Sequence, residues 1–171
     1  MRKKEVIYTE RLQLCIISDS DQDSLVDMFL DDEIVKTYMI PEFSSKEEAV
    51  ALFDHFKNLS SSPAHFVYGI YFQNQVIGFI NDVEMQGSKI EIGYVIHPKE
   101  QNKGFATEVL KTVIKELFEM GYCVVKAGAF EENLSSMRVM EKCGMKRISH
   151  EDLIEYRGKI HRCINFEIQC T

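Results

Sequence analysis

One short stretch of the chain has the residue types of an anion-binding turn. It reads Gln101-Asn102-Lys103-Gly104-Phe105-Ala106 and stands between an apolar strand-like run, 90–96, and a helix-like run, 106–120. The first N–H groups of a helix lack intrahelical acceptors and lie at the positive end of the helix dipole. Two small residues in the turn would let the backbone approach a diphosphate, and Asn102 tolerates the left-handed conformation. The pattern therefore predicts a phosphate site at the start of this helix.

The spacing of this turn matches neither of the two best-known phosphate loops. The chain has no G-x-x-x-x-G-K-[ST] sequence, and no G-x-G-x-x-G follows a strand. On these residues alone, an ordinary glycine-containing turn between a strand and a helix fits as well as a phosphate site does.

Motifs along most of the chain resemble the GNAT superfamily of N-acetyltransferases. The Gln101-x-x-Gly104-x-Ala106 spacing is similar to the [RQ]-x-x-G-x-[GA] acyl-CoA motif of that superfamily. The other matching stretches are Thr9-Glu10-Arg11-Leu12-Gln13-Leu14, Glu91-Ile92-Gly93-Tyr94, Ala106-Thr107-Glu108, and Asn133-x-x-Ser136 ahead of Glu141-Lys142-Cys143-Gly144-Met145. Together they resemble the branch that contains the ribosomal-protein N-terminal (alanine) acetyltransferases, over roughly residues 7–168.

This resemblance implies acetyl-CoA (coenzyme A) as the cofactor, held where two strands of the sheet splay apart. The pantetheine arm is expected beside Tyr94, Val95 and Ile96, and Asn133 is expected to bind a pantetheine amide or to fix its own turn. The pyrophosphate is expected on the backbone amides of Gln101, Asn102, Lys103, Gly104, Phe105, Ala106 and Thr107. Because that recognition is by backbone, a bulky residue at Gly104 should matter more than side-chain changes at Asn102 or Lys103.

Glu91 is the predicted catalytic base, acting through a water molecule. It interrupts the otherwise apolar run Ile90-Glu91-Ile92-Gly93-Tyr94 beside the expected coenzyme groove. Partial burial would raise the pKa of this carboxyl toward a useful value. Since side chains alternate along a strand, a glutamate that faces solvent is the other interpretation.

Ser136 is the second predicted catalytic residue, and it is also expected to contact the coenzyme. Many enzymes that this chain resembles protonate the leaving thiolate with a tyrosine, and the position that aligns with it here is Met140, whose thioether has no proton to donate. In the branch resembled here, the serine of the Asn-x-x-Ser motif is the expected substitute. Capping of a helix N-terminus is the alternative role for Ser136.

The elements that must position these residues follow from hydrophobic periodicity. The pattern predicts strands at 11–16, 65–72, 76–83, 90–96, 123–129, 146–155 and 159–169, and helices around 25–29, 45–59, 106–120 and 135–143. Ser45-Lys46-Glu47-Glu48 has the spacing of a capping box. A strand, a helix and a second strand in succession imply a parallel crossover. The fold class expected is α/β (α+β), a single domain over residues 1–171 with a mixed, mostly antiparallel sheet, splayed strands and flanking helices.

Composition bounds the possible partners of a chain of 171 residues with a net charge of −7. That charge argues against a nucleic-acid binder and is compatible with a cationic amine. The five cysteines are scattered without metal-ligand spacing, so no metal site is predicted. No apolar run reaches the roughly 18 residues of a membrane span, so no membrane partner and a cytoplasmic location are expected. An exposed strand edge would allow a homodimer.

The predicted function is direct transfer of an acetyl group from acetyl-CoA to a primary amine, most simply a protein or peptide N-terminus. The resemblance also implies that Tyr38, Met39, Phe43 and the hairpin 156–161 lie on the acceptor side, because the corresponding positions line it in related folds. A polyamine or another small amine, including a drug, is the alternative acceptor, because a fold does not determine a substrate. A non-catalytic module that binds acyl-CoA is the alternative of a different class, and Met140 is the residue that favours it.

Overall fold

The structure, a computed structural model, describes residues 3–170. In chain order its elements are β1 Val6–Tyr8, β2 Gln13–Cys15, α1 Gln22–Phe29, α2 Asp32–Thr37, α3 Lys46–Ser61, β3 Tyr68–Phe72, β4 Gln75–Gln86, β5 Lys89–Ile96, α4 Phe105–Glu119, β6 Val124–Phe130, α5 Leu134–Lys142, β7 Lys146–Tyr156 and β8 Lys159–Gln169. The strands form one sheet in the order β1-β2-β3-β4-β5-β6-β8-β7. The expected mixed fold with helices on a mostly antiparallel sheet is confirmed.

The β5–β6 pair is the one parallel pair in the described sheet, and it is short. Its register covers only Lys89 to Glu91 on β5 and Val124 to Lys126 on β6. Beyond Glu91 the two strands separate, because β5 stays paired with β4 up to Ile96 while β6 stays paired with β8 up to Phe130. The predicted splay is therefore present, and it leaves an opening between residues 92–96 and residues 127–130.

Each face of the sheet carries its own hydrophobic core. On one face α4 and α5 pack through Val109, Leu110 and Met140 against Ile90 and Ile92. On the other face α1 and α3 pack through residues that include Leu25, Phe29 and Phe53 against Phe79 and Val95. Because side chains alternate along β5, its residues 90, 92 and 94 face α4 and α5, whereas 91, 93 and 95 face α1 and α3.

Two elements differ from the sequence prediction near the second face. Helix α2 was not predicted, since it has six residues and a single buried apolar side chain, Ile34, and so shows no periodicity. Its start is fixed by Asp31, whose carboxylate accepts from the amides of Glu33 (2.9 Å) and Ile34 (3.1 Å). The capping box at Ser45 does not form; instead the amide of Ser44 donates to Glu48 at 2.6 Å.

Strand β3 begins three residues later than predicted. The expected run started at His65, but the ladder begins at Tyr68, because the preceding backbone bonds to the β4 residue Asp82 next to a bulge. The amide of Phe66 donates to the Asp82 carboxylate (2.8 Å), and the amide of Asp82 donates to the Phe66 carbonyl (2.9 Å). Within residues 3–170 no helix is both long and apolar enough to cross a membrane.

The tip of the β7–β8 hairpin holds the segment that follows α2. The hydroxyl of Tyr156 donates to the Val35 carbonyl at 2.8 Å and accepts from the amide of Ile40 at 3.2 Å. The guanidinium of Arg157 adds a bond to the Tyr156 hydroxyl at 2.9 Å. A loop that has little regular structure of its own is thus fixed to the far edge of the sheet.

Replacing Tyr156 tests this attachment. Tyr156→Phe removes the hydroxyl bonds to Val35, Ile40 and Arg157 and leaves the Ile40 amide without its acceptor, so the free energy of unfolding should fall by about 1–2 kcal/mol. The matched control is Tyr8→Phe, because Tyr8 is 69% exposed. Urea unfolding of both variants measures the difference, and equal stability of the two would show that the hairpin does not hold the loop.

Candidate active site

Two cavities open on opposite faces of the sheet and meet at the splay. The first, called the loop cavity here, has a volume of about 440 Å³ and lies among β5, the 101–107 turn and α5. The second, called the α1–α3 cavity, has a volume of about 480 Å³ and lies among α1, α3, the 37–41 segment and the strands. Both are lined by Thr37, Tyr38, Ile92, Gly93 and Gly128. A molecule in one cavity can therefore reach a molecule in the other through the gap.

The 101–107 turn has the geometry of an anion site. Gly104 occupies the N-cap of α4 with φ = 82°, and Asn102 has φ = 62°, so both adopt the left-handed conformation. No side chain caps this helix end, and the first backbone bond into it runs from the amide of Glu108 to the carbonyl of Gly104 at 3.1 Å. The amides of Phe105, Ala106 and Thr107 in the first turn are thus available to a phosphate.

A brace from the N-terminal segment fixes this turn. The Glu108 carboxylate accepts from the Thr9 hydroxyl (2.5 Å), the Arg11 amide (2.7 Å) and the Arg11 guanidinium (2.7 Å). Arg11 in turn donates to the carbonyl of Lys103 at 3.0 Å and lies 4.6 Å from the ring centre of Phe105. Sequence reasoning had noted both motifs without predicting that they meet, since nothing local links residues about a hundred positions apart.

The Glu108 carboxyl is kept ionised by these donors. Its side chain is only 12% exposed, and that burial acts to raise its pKa. The hydrogen bonds from Thr9 and Arg11, with the charge of Arg11, outweigh the burial and lower the pKa below its usual range. The brace is therefore intact at neutral pH.

The residues predicted to hold the coenzyme lie around the loop cavity, with one exception. Its lining includes Tyr94, Val95, Ile96, Gln101, Asn102, Gly104, Phe105, Ala106, Thr107, Asn133 and Ser136. Lys103 does not line it, and its ammonium pairs with Glu100 at 2.8 Å instead. Arg138 and Lys142 on α5 also line the cavity, and sequence reasoning had not singled them out. A cavity with free helix amides and two cations fits a diphosphate-bearing coenzyme.

A tyrosine and a serine meet on the wall of the loop cavity. The hydroxyl of Tyr94 lies 2.9 Å from the hydroxyl of Ser136. Asn133 caps α5, with its side-chain oxygen accepting from the amide of Ser136 at 3.1 Å. Burial raises the pKa of the Tyr94 phenol, so this hydroxyl keeps its proton at neutral pH. Met140 is fully buried in the core and lines neither cavity.

Glu91 lies on the other face and lines the α1–α3 cavity. In the sheet it is the register partner of Glu84 on β4 and of Lys126 on β6. Half-burial is the main cause that raises the pKa of its carboxyl; the charges of Glu84 and Asp152 add to the effect, and Lys126 opposes it. The structure thus brings Glu91 to the gap from one side and the Tyr94–Ser136 pair from the other.

Tyr38 borders the gap on the Glu91 side and lines both cavities. Its hydroxyl donates to the side-chain oxygen of Asn81 at 2.5 Å and passes over Gly93. A Cβ atom at Gly93 would lie 2.9 Å from that hydroxyl oxygen, so only glycine fits there without displacing Tyr38. Met39 also lines the α1–α3 cavity, whereas Phe43 packs on the edge of the nearby core.

The charged groups differ between the cavities. The described residues that line the α1–α3 cavity include three carboxylates, those of Asp82, Glu91 and Asp152, and no lysine or arginine. Residues 3–170 contain no cluster of three or more histidine, cysteine or acidic side chains placed to hold a metal ion. The loop cavity is lined by Arg138 and Lys142 on α5 and also by Glu33 and Glu100, which pair with Lys36 and Lys103. The α1–α3 cavity is therefore acidic and suits a cation, whereas the loop cavity presents cations on its α5 side.

Comparison with known proteins places this fold and site in one family. The sequence profile of the acetyltransferase (GNAT) domain matches residues 11–146. A curated relative, the N-acetyltransferase YnaD of Bacillus subtilis (strain 168), is 32% identical over 143 residues, which is 82% of each chain. The crystal structure of a GNAT-family acetyltransferase from Bacillus anthracis superposes with a TM-score of 0.82 at 25% identity, covering 96% of this chain and 98% of that one.

For one further protein of the same fold, the acceptor that it modifies is stated. It is the acetyl transferase from Salmonella typhimurium that modifies the N-terminal serine of the 50S ribosomal subunit protein L7/L12, with a TM-score of 0.83, 16% identity, and coverage of 98% of this chain and 100% of that one. Other solved structures of this fold contain acetyl-CoA or coenzyme A.

The chain belongs to the GNAT family of acetyltransferases. It is an N-acetyltransferase that uses acetyl-CoA, and the expectations of family, fold, enzyme class and cofactor are confirmed at this level.

Loss of the brace should weaken the coenzyme site. Glu108→Gln replaces the charged acceptor of Arg11 and Thr9, so the free energy of unfolding should fall by about 2 kcal/mol and coenzyme A should bind more weakly at pH 7. Because the pKa of Glu108 is lowered by folding, its stabilising effect is present above the unfolded pKa and disappears as the pH falls through the folded pKa. The two proteins should therefore become equally stable at low pH.

Calorimetric titration with coenzyme A and denaturation at several pH values measure both effects. Glu10→Gln is the matched control, since Glu10 is exposed beside the same motif. Unchanged coenzyme affinity in Glu108→Gln would show that the turn keeps its shape without the brace.

Proposed function

We propose that the protein transfers acetyl directly from acetyl-CoA to the primary amine of a peptide or protein N-terminus, with both substrates bound at once. The observation that carries the proposal is the meeting of two cavities at Gly93 and Gly128, between the splayed strands: one has free helix amides and the cations of α5, and the other is acidic. Acetyl-CoA supplies the acetyl group as a thioester. The chain supplies binding, orientation and proton transfer.

The loop cavity is assigned to the coenzyme. In this assignment the first-turn amides of α4 hold the pyrophosphate, with Arg138 and Lys142 close by. The edge of β5 from Tyr94 to Ile96 has no neighbouring strand on its β6 side, so backbone groups on that side can bond the pantetheine arm. The Ile96 carbonyl is an exception, because it accepts from the side-chain amide of Gln101 at 2.9 Å. Asn133 holds the turn at the start of α5.

Glu91 is assigned as the base, directly or through a water. An α-amino group has a pKa of about 7.7–8.0 and must lose a proton before its nitrogen can attack a carbonyl carbon. A carboxylate with a raised pKa accepts that proton more readily than an ordinary one. Its position in the acidic cavity also attracts the ammonium form of the acceptor.

Tyr94 and Ser136 are assigned as the proton source for the leaving sulfur. Met140 stands where related enzymes have a tyrosine and cannot donate a proton, whereas the pair on the loop cavity supplies two hydroxyl groups whose oxygens lie 2.9 Å apart. We assign Ser136 as the donor to the sulfur, with Tyr94 replacing the proton that the serine gives up. The pKa of the Tyr94 phenol is raised, so this hydroxyl is protonated and can supply that proton.

A covalent cysteine intermediate has little support. Burial raises the pKa of Cys143 to about 11, and burial with the charges of Asp152 and Glu91 raises that of Cys163 to about 11 as well. Thiols with such values are protonated at neutral pH and are poor nucleophiles. Direct transfer between the two bound substrates is therefore the simpler route.

The remaining parts of the proposal concern the whole chain. We assign residues 1–171 to one domain, supported by a sheet that runs from Val6 to Gln169. A cytoplasmic location is supported by five cysteines that are free although two of them are exposed. The homodimer stays a prediction, for which β7 provides the long sheet edge.

Substitution of Glu91 tests the proposed base. In Glu91→Gln the proton acceptor is lost, so kcat/KM should fall by about 100-fold or more at pH 7, and the decline of wild-type activity at acid pH should disappear. Thiol release from acetyl-CoA across a pH series measures both. If Glu91→Gln kept the wild-type kcat/KM at every pH, Glu91 would not be the base.

Substitution of the neighbouring Glu84 gives a control in which the direction of the pH shift is predicted. Because the charge of Glu84 raises the pKa of Glu91, Glu84→Gln should move the acid limb of the profile to lower pH and keep the plateau activity. An acid limb that stays in place would mean that another group titrates.

Removal of the two hydroxyls tests the proposed acid. Tyr94→Phe and Ser136→Ala should each lower kcat by about 10–100-fold with little change in coenzyme affinity, and the double variant should lose far less than the product of the two. Tyr122→Phe is the control for loss of a tyrosine hydroxyl elsewhere. Fully additive effects would show that the two residues do not act as a pair.

A further inference from the structure

The α1–α3 cavity is divided into an acidic end and an apolar end. Glu91 and Asp152 lie at the sheet end, where Asp152 is oriented by the side chain of Asn165 (2.7 Å). The third carboxylate, Asp82, is occupied by the Phe66 amide and by the ring of His65 at 2.9 Å. Asp152 is also bonded to the exposed ring of His150 at 3.0 Å, and its charge acts on Glu91. Glu91 and Asp152 together therefore form the acidic end that can receive a cationic group.

The opposite end is mainly apolar, and His55, an exposed side chain on α3, is the polar exception among the described residues that line it. It is formed by Leu52, Phe56 and Leu59 on α3, with Met39 and Ile40 from the loop that Tyr156 holds. The ring of Phe56 packs on Phe79 at 5.1 Å between centres, so this wall is continuous with the core. A second ammonium group of a polyamine would lie against this wall, where burying a charge is unfavourable.

Among the described residues that line the cavity there is no lysine or arginine to pair with an anion. Lys126 is in register with Glu91 but does not line the cavity, and Arg157 bonds to Tyr156 and Ile40. A free amino acid would bring its carboxylate next to Glu91 and Asp152. Like charges at that distance repel, so an acceptor with a blocked or absent carboxylate is favoured.

We infer that the acceptor is a primary amine that bears a bulky apolar or aromatic group and has no free carboxylate beside the amine. This inference rests on the proposed function and deepens it. The amine lies between Glu91 and Asp152, and the apolar group fills the end formed by α3. A volume of about 480 Å³ is within the range of about 300–1,000 Å³ typical of ligand pockets, and a serine or alanine side chain would leave most of it empty.

A panel of matched amines tests the inference by kcat/KM at saturating acetyl-CoA. Phenylalaninamide should exceed alaninamide and serinamide by about 10–100-fold, because it buries an aromatic ring. It should also exceed free phenylalanine, which adds only the carboxylate, and putrescine, which replaces the ring by a second amine. Two further amines, phenethylamine and a tripeptide amide that begins with phenylalanine, show which kind of acceptor is preferred. A higher kcat/KM for phenethylamine indicates a small amine, and a higher value for the tripeptide indicates a chain end.

A variant that narrows the cavity gives an independent test. Leu52→Phe should lower kcat/KM for phenylalaninamide by more than it lowers the value for alaninamide, whereas Leu30→Phe, at an exposed position on the end of α1, should leave their ratio unchanged. Calorimetric titration of phenylalaninamide into the complex with coenzyme A should show the same loss of affinity in Leu52→Phe. Thermal unfolding confirms that both variants are folded.

The outcomes separate this inference from the proposed function. If serinamide, alaninamide or putrescine reacts as well as phenylalaninamide, the apolar acceptor is wrong while amine acetylation stands. If free phenylalanine reacts as well as its amide, the exclusion of a carboxylate is wrong. If no amine is acetylated although coenzyme A binds, the proposed function fails and the inference fails with it.

Discussion

The early end of the parallel ladder between β5 and β6 is the constraint on which the rest of the site depends. Three residues of pairing hold the two strands together, and then each strand follows its antiparallel partner, β4 on one side and β8 on the other. The backbone groups freed by this separation need other partners, because unpaired polar groups in a protein interior are costly. A coenzyme arm in the gap would supply them, so the same feature that interrupts the sheet creates the need for a ligand.

Alternation along β5 turns this gap into a passage between two chemically different cavities. Tyr94 faces α5 and its serine, whereas Glu91 and Gly93 face the loop held by Tyr156. The two proton-transfer roles that we propose therefore fall on opposite sides of the gap, which suits acetyl transfer from a thioester to an amine. Arg138 and Lys142 line the α5 side of one cavity, which also contains Glu33 and Glu100, whereas the described charged side chains that line the other cavity are all carboxylates. The charge of an amine therefore favours the second cavity.

Local pattern predicted most of this fold, and long-range contacts account for what it missed. The amphipathic helices, the hairpins and the left-handed Asn102 could be read from the sequence because each is determined by nearby residues. Helix α2 was missed because its single buried side chain shows no period. The brace of Arg11 on Glu108 and the face on which Glu91 lies depend on register and on packing across the sheet, which a single sequence does not contain.

The central claim is that the two substrates approach the gap from opposite faces of the sheet. A crystal structure of the protein with coenzyme A and phenylalaninamide tests it most directly. The account predicts the coenzyme sulfur between Gly93 and Gly128, the pyrophosphate on the first turn of α4, and the amine within hydrogen-bonding reach of Glu91, directly or through one water. An amine bound on the α5 side, or a coenzyme that lies outside the splay, would contradict it.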